Sequence, residues 1–258
     1  MGNSVRLEQH GDVGVIVLDS PPLNLFGEEL MRELVEVVDE VAANPPRALV
    51  YRAEGKIFTG GVDVDVFHGL SEAQGGEMFG GLISMIHKIE ELPLPTVACI
   101  HGLCLTAGFE VSLACDMIWA SESAKFGLVE IVVGLTPAMG GTQRLAALAG
   151  PARAREFVMT GGLYDAATLE RWNVVNRVLP DDQLLEKTMA FAERLAAGPT
   201  KAHAATKRIV RAQIEEGVRG ADARVGEISG ALFETEDLKR AVETFLDKGP
   251  GHATFEGR

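Results

Sequence analysis

Two glutamates in this chain sit among neighbours that should be buried. Glu110 lies in His101-Gly-Leu-Cys-Leu-Thr-Ala-Gly-Phe-Glu-Val-Ser-Leu-Ala-Cys-Asp116, where a small-residue turn at 106–108 leads into an apolar helix and places Glu110 in its first turn. Glu130 lies in Phe126-Gly-Leu-Val-Glu-Ile-Val-Val-Gly134, apolar on both sides. Burial disfavours the charged form of a carboxyl, so each should keep its proton to nearer neutral pH, which suits proton transfer. Each also has an ordinary reading. A Glu in a first turn is favoured by the helix dipole alone, and a Glu in an apolar strand can be an edge residue or half of an ion pair. The pair is informative only if the two converge in space. A third feature is Gly60-Gly61 after Lys56-Ile-Phe-Thr59, a sharp turn that would leave backbone N–H groups exposed. Together with those at 106–108, they could grip a developing oxyanion.

The elements that must position these groups alternate. Residues 13–18, 48–51, 96–100, 116–120 and 174–178 read as strands. Residues 28–43 place Leu30, Leu34, Val37, Val38 and Val41 on one helical face and stop at Asn44-Pro-Pro46. Residues 77–91 read as a second helix, and the Gly-rich stretch before it, 71–80, as a mobile segment. Asp181 or Asp182 can cap a helix running to about residue 195. After Pro199 only helices are expected, at 201–216, 221–232 and 236–248. Alternation followed by a helical tail argues an α/β core over residues 1–198 and a separate unit over 199–258.

The charge supports that division. The chain has 258 residues with 24 basic and 37 acidic side chains, a net −13. Residues 199–258 hold ten of each sign and are neutral, so the excess lies entirely in residues 1–198. Such a balance argues against a nucleic-acid or anionic-membrane partner. Cys99, Cys104 and Cys115 are odd in number and form no CxxC pair, so buried, reduced thiols and a cytoplasmic setting are expected. The first residues lack the apolar core of a secretory signal. The uncharged run 92–109 is broken by Pro93 and Pro95 and reads as strand, turn and helix start. Neither a dinucleotide fingerprint, a P-loop, a nucleophile elbow nor an HExxH motif occurs. Asp63-Val-Asp65 reads as two solvated or capping acids rather than metal ligands.

Four segments carry a family resemblance: Lys56-Ile-Phe-Thr-Gly-Gly-Val-Asp-Val64, the segment from His101 to Asp116, Phe126-Gly-Leu-Val-Glu130, and Leu135-Thr-Pro-Ala-Met-Gly-Gly-Thr-Gln-Arg-Leu145. In that order they make the chain similar to the enoyl-CoA hydratase/isomerase (crotonase) superfamily over residues 13–255. The resemblance implies an α/β spiral of ββα turns with a helical C-terminal region that assembles trimers, usually paired into hexamers. It implies an acyl-CoA thioester substrate, coenzyme A being part of the substrate and no separate cofactor or metal being required. By motif position it assigns the acid/base pair to Glu110 and Glu130 and the oxyanion-binding N–H groups to Gly60 and Ala107. Further substrate contacts fall on Phe58, Gly61, Val62, Asp63 and Gly108. Phe245 and Lys248 match positions that reach the CoA of a neighbouring subunit. Keeping both glutamates points to hydration of a trans-2-enoyl-CoA. A Δ3,Δ2-isomerase working through Glu130 alone and a non-catalytic acyl-CoA-binding protein are the alternatives. Two positions depart from the family pattern: Thr106 stands in a turn that is usually Gly-rich, and Asp65 stands where many members carry a Lys.

Overall fold

The computed structural model describes residues 3–258. Strands β1 (Val5–His10) and β2 (Val13–Leu18) form an antiparallel hairpin. Helix α1 (Glu28–Ala43) follows and buries Leu30, Leu34, Val38 and Val41 along one face. Next come β3 (Ala48–Ala53), α2 (Glu72–Glu91), β4 (Thr96–Ile100), β5 (Leu103–Leu105), α3 (Thr106–Ala114), β6 (Met117–Ser121) and β7 (Lys125–Gly127). The chain continues through α4 (Gly141–Ala149), α5 (Pro151–Thr160), β8 (Tyr164–Asp165), α6 (Ala166–Arg171), β9 (Arg177–Leu179) and α7 (Leu184–Ala196). It closes with α8 (Thr200–Gly230) and α9 (Glu236–Lys248).

Six strands form one sheet in the order β1-β2-β3-β4-β6-β9, parallel from β2 onward. The shorter strands β5-β7-β8 form a second sheet. Single bridges between Phe26 and Val62 and between Thr59 and Cys104 extend this second row. Successive turns of the chain thus lay one strand in the large sheet and a short pairing segment in the small one, which is the ββα spiral. The large sheet is covered on both faces. Ile16, Leu18, Leu49, Tyr51, Ala98 and Ile100 belong to the core that includes α1, α2 and α3, whereas Val13, Val15, Val17, Val50, Val97 and Cys99 pack with α7. Burial on both sides is why β2 and β4 read as continuous apolar runs instead of alternating ones.

Several expectations are corrected. The strand β1 and the short strands β5, β7 and β8 were not foreseen. The stretch 71–80 is the first half of α2 rather than a loose segment. Ser71 and Gln74 form a reciprocal capping box that starts the helix five residues before residue 77. The late strand lies at 177–179. Asp181 does not cap α7, because its carboxylate accepts the Ser123 N–H at 3.1 Å and the helix begins after Gln183. Residues 201–216 and 221–232 run into one long α8, interrupted at Gly217, whose φ of +74° breaks the helical path. The tail is tied back to the core by polar pairs. Lys207 Nζ lies 2.9 Å from Asp116 and donates to the Leu94 carbonyl, and Arg211 meets Glu91 at 2.9 Å.

Candidate active site

Helix α3 carries Glu110 in its second turn, not its first, and every residue of this helix is buried. The helix dipole therefore does not account for the glutamate. The turn before α4 does hold it: the N–H groups of Met139 and Gly141 donate to the same oxygen, Glu110 Oε1, at 2.9 and 2.8 Å. A side chain at Gly141 is excluded, because its Cβ would lie 2.8 Å from Glu110 Cγ. Glu110 Oε2 is left out of this grip. Glu130 opens a short 3-10 helix (Glu130–Val133) instead of lying in a strand. Its Oε2 is buried and has no hydrogen-bond partner among the described residues.

Both carboxyls line one cavity of roughly 370 Å³, mouth included, with apolar walls that include Met31, Phe67, Met78, Phe79 and Leu82. Convergence, the condition on which the pair depended, is met. Burial pushes the Glu110 carboxyl up to about 7, against the opposing pull of the two N–H groups and of Arg144. Burial, reinforced by the charge of Glu110, pushes Glu130 up to about 7 as well. Two like acids facing one apolar cavity cannot both ionise readily near neutral pH, so the pair is suited to holding one proton there. Glu110, whose ionised form is supported by two amide donors, is the natural site of the charge, and Glu130 of the proton.

The N–H donors need a correction. Gly60 N–H donates to the Leu23 carbonyl at 2.8 Å, so it is already engaged. Gly61 N–H donates to Thr59 Oγ1 at 2.9 Å and Asp63 N–H to the Phe26 carbonyl at 3.2 Å. Between them, Val62 N–H has no acceptor among the described residues, and Val62 lines the cavity. Ala107 N–H, in the first turn of α3, has none either. The available pair is therefore Val62 with Ala107. The resemblance assigns this donor to Gly60 by motif position, two residues short of the free amide. What decides is where the neighbouring amides go: Gly60 N–H to Leu23, Gly61 N–H to Thr59 Oγ1, and Asp63 N–H to Phe26 across the Phe26–Val62 bridge, formed by residues thirty-six positions apart.

The other expected contacts divide. Gly61, at φ +103°, has the backbone that favours glycine, and a Cβ there would lie 2.6 Å from Thr106 Oγ1. Gly108 is fully enclosed, and its missing side chain lets Thr59 approach. Phe58 is a core residue, edge-on to Tyr51 at 5.1 Å between ring centroids, and is not a cavity contact. Asp63 caps the short helix Val64–Phe67 by accepting the Asp65 N–H. Phe245 and Lys248 lie on α9 away from the cavity of their own chain, and Phe245 is exposed.

The sequence matches the family described as enoyl-CoA hydratase/isomerase over residues 8–258. The chain belongs to that family. Among its relatives is a protein of Rhizobium meliloti named "Probable enoyl-CoA hydratase", 35% identical over 253 residues that cover 95% of each chain. A crotonyl-CoA hydratase of Syntrophomonas wolfei is 28% identical, again over 95% of each chain. The crystal structure of an enoyl-CoA hydratase from Bacillus anthracis superposes with a TM-score of 0.91 at 27% identity, covering 99% of this chain and all of that one. The family's crotonase fold is the two-row spiral with its helical C-terminal region described above. As a family member the chain is an enzyme acting on CoA thioesters.

Proposed function

We propose that this protein is an enoyl-CoA hydratase that adds water across the double bond of a trans-2-enoyl-CoA to give the 3-hydroxyacyl-CoA. The observation that carries this reading is the meeting of Glu110 and Glu130 in one apolar cavity, both poised near neutral pH. The thioester carbonyl accepts the N–H groups of Val62 and Ala107, which draw electron density away from the β-carbon. Glu110 takes a proton from water through the oxygen not held by Met139 and Gly141, and the water oxygen bonds to the β-carbon. The π electrons move toward the thioester oxygen as an enolate. Collapse of the enolate takes the proton of Glu130 onto the α-carbon. The pair ends with one proton, now on Glu110, and proton exchange restores the starting state. CoA enters as part of the substrate, and no other cofactor takes part.

Isomerisation between 3- and 2-enoyl-CoA needs only the Glu130 carboxyl. The two-amide grip on Glu110 favours hydration, since an isomerase has no need of a second held carboxylate. The supporting result is loss of the enoyl absorbance of crotonyl-CoA on addition of the protein. Glu110→Gln and Glu130→Gln should each lower kcat by about two to four orders of magnitude, the usual range for general acid–base groups, with KM little changed. Wild-type turnover in both variants, or turnover of 3-enoyl-CoA alone, overturns the reading. Phe245 and Lys248 enter this proposal as groups offered to the CoA of a neighbouring copy in a trimer or hexamer.

A further inference from the structure

Behind Glu110 lies a second layer of charge. Arg144 in α4 is largely buried, with 13% of its side chain exposed, and Glu90 near the end of α2 retains 28%. The two form a bidentate pair: Arg144 Nε donates to Glu90 Oε1 at 2.7 Å and Nη2 to Oε2 at 2.6 Å. The remaining arm, Nη1, donates to the Gly140 carbonyl at 3.2 Å. Gly140 sits between Met139 and Gly141, whose amides hold Glu110. Its φ is +93°, and a Cβ there would lie 1.9 Å from Arg144 Nη1, so the guanidinium occupies the space a side chain would need. The chain of contacts runs Glu90, Arg144, Gly140, then the two amides, then Glu110.

An ion pair is a poor device for simply bracing α2 against α4. Desolvating two charges costs about as much as their attraction returns, and a well-packed apolar pair often serves as well. What an apolar pair cannot do is hold a carbonyl of the turn and carry charge. We propose that Arg144, clamped by Glu90, is a positioning residue for hydration: it fixes the 139–141 turn that grips Glu110 and keeps a positive charge behind that carboxylate. This rests on the reading of Glu110 as the base that activates water. The charged groups facing Glu110 are Glu130 from the 3-10 helix after β7, and Arg144 from α4 with Glu90 from α2 beyond it. Arg144 opposes the burial that raises the Glu110 carboxyl. Glu90 tempers Arg144, so the two members of one pair should act on Glu110 in opposite senses.

That opposition is the test. Glutamate side chains in the intact protein are labelled with carbon-13, and the Glu110 signal is assigned by its loss in Glu110→Gln. Its titration is then followed in wild type, Arg144→Gln, Arg144→Lys and Glu90→Gln without substrate. Arg144→Gln should raise the midpoint by about half a pH unit or more, a modest share of what a close charge can do. Glu90→Gln, which leaves the guanidinium uncompensated, should lower it, and Arg144→Lys, which keeps the charge but not the fork that holds Glu90 and Gly140, should raise it by less than Arg144→Gln does. The acidic limb of kcat for crotonyl-CoA should move in the same directions. Midpoints that do not move, or that move the same way in Glu90→Gln and Arg144→Gln, overturn the proposal and leave the pair a simple brace. Should Arg144→Gln fail to fold, Glu90→Gln against Arg144→Lys decides by the same sign. If hydration is seen and the midpoints stay fixed, the positioning role falls alone. If the midpoints move as expected and crotonyl-CoA is not hydrated, the functional reading falls instead.

Discussion

A carboxyl whose proton is held more tightly in the folded state than in the unfolded chain makes stability depend on pH in a definite sense. Glu110 rises from 4.5 to about 7 on folding, so its contribution is favourable below pH 4.5 and is lost as pH climbs through 7. At 1.36 kcal/mol per unit, the cost of ionising it in place is at most about 3–4 kcal/mol, an upper figure because Glu130 shares the same proton. Glu110→Gln should therefore be more stable than wild type by about 1–3 kcal/mol at pH 8, with the difference vanishing below pH 4.5, as read from urea unfolding at both values. A variant less stable than wild type at pH 8 would show that the carboxylate stabilises the fold, contrary to its burial. Thr106 poses a second residue-scale question. It is a β-branched residue at φ +46° with a buried hydroxyl that has no partner among the described residues. The left-handed backbone costs roughly 1–2 kcal/mol and an orphaned buried hydroxyl about 1–3, against roughly 0.5–1 for the extra freedom of an unfolded glycine. Thr106→Gly is accordingly expected to gain about 1–4 kcal/mol in the same measurement, and a loss of stability would reveal packing that outweighs the strain.

At the scale of elements, the cavity wall depends on how α2 starts. Its first half contains Gly75, Gly76, Gly80 and Gly81, poor helix formers, yet it must deliver Met78, Phe79 and Leu82 to the cavity. The Ser71–Gln74 box supplies what propensity does not. Ser71→Ala should cost about 1 kcal/mol locally, seen as faster amide hydrogen exchange over 71–82 and a weakened preference among acyl chain lengths, with the core amides unchanged. Unchanged exchange in that stretch would mean that packing alone holds the helix. The capping pattern Ser-x-x-Gln was legible in the sequence, but the glycines beside it suggested mobility. Elements with a strong period were legible for a physical reason: α1 has a single apolar face, and β2, β3 and β4 are buried on both sides. The short strands β5, β7 and β8 carry two or three residues each and no period to detect. The two glutamates stood out because burial of an acid is visible in its neighbours. Which amide is free to bind an oxyanion was not, since that depends on the Phe26–Val62 bridge and the bond from Gly60 to Leu23. Arg144 and Glu90 were invisible for the same reason: their meaning lies in a contact between two helices.

For the whole molecule, the helical tail poses the remaining question. It is neutral where the core is strongly acidic, and polar pairs tie α8 to that core. Its outer surfaces are not those of a solvated helix. On α9, Val242, Phe245 and Leu246 share one face, with Phe245 58% and Leu246 80% exposed, and Phe233 precedes them. Along α8, Val210 and Ile214 lie one turn apart ahead of the break at Gly217, and both are exposed. Apolar residues at helical spacing with nothing covering them form a face that water disfavours, and a second copy of the chain is the partner our functional proposal supplies. Wild-type protein should then sediment as a trimer or hexamer. The double variant Phe245→Glu with Leu246→Glu should fall to smaller species, because each association would bury carboxylates against apolar side chains. If Lys248 of one copy serves the CoA of another, the dissociated variant should also show a raised KM for crotonyl-CoA while each copy retains its own Glu110 and Glu130. A wild-type monomer that hydrates crotonyl-CoA normally would show instead that these faces are tolerated in water and that each chain holds a complete site.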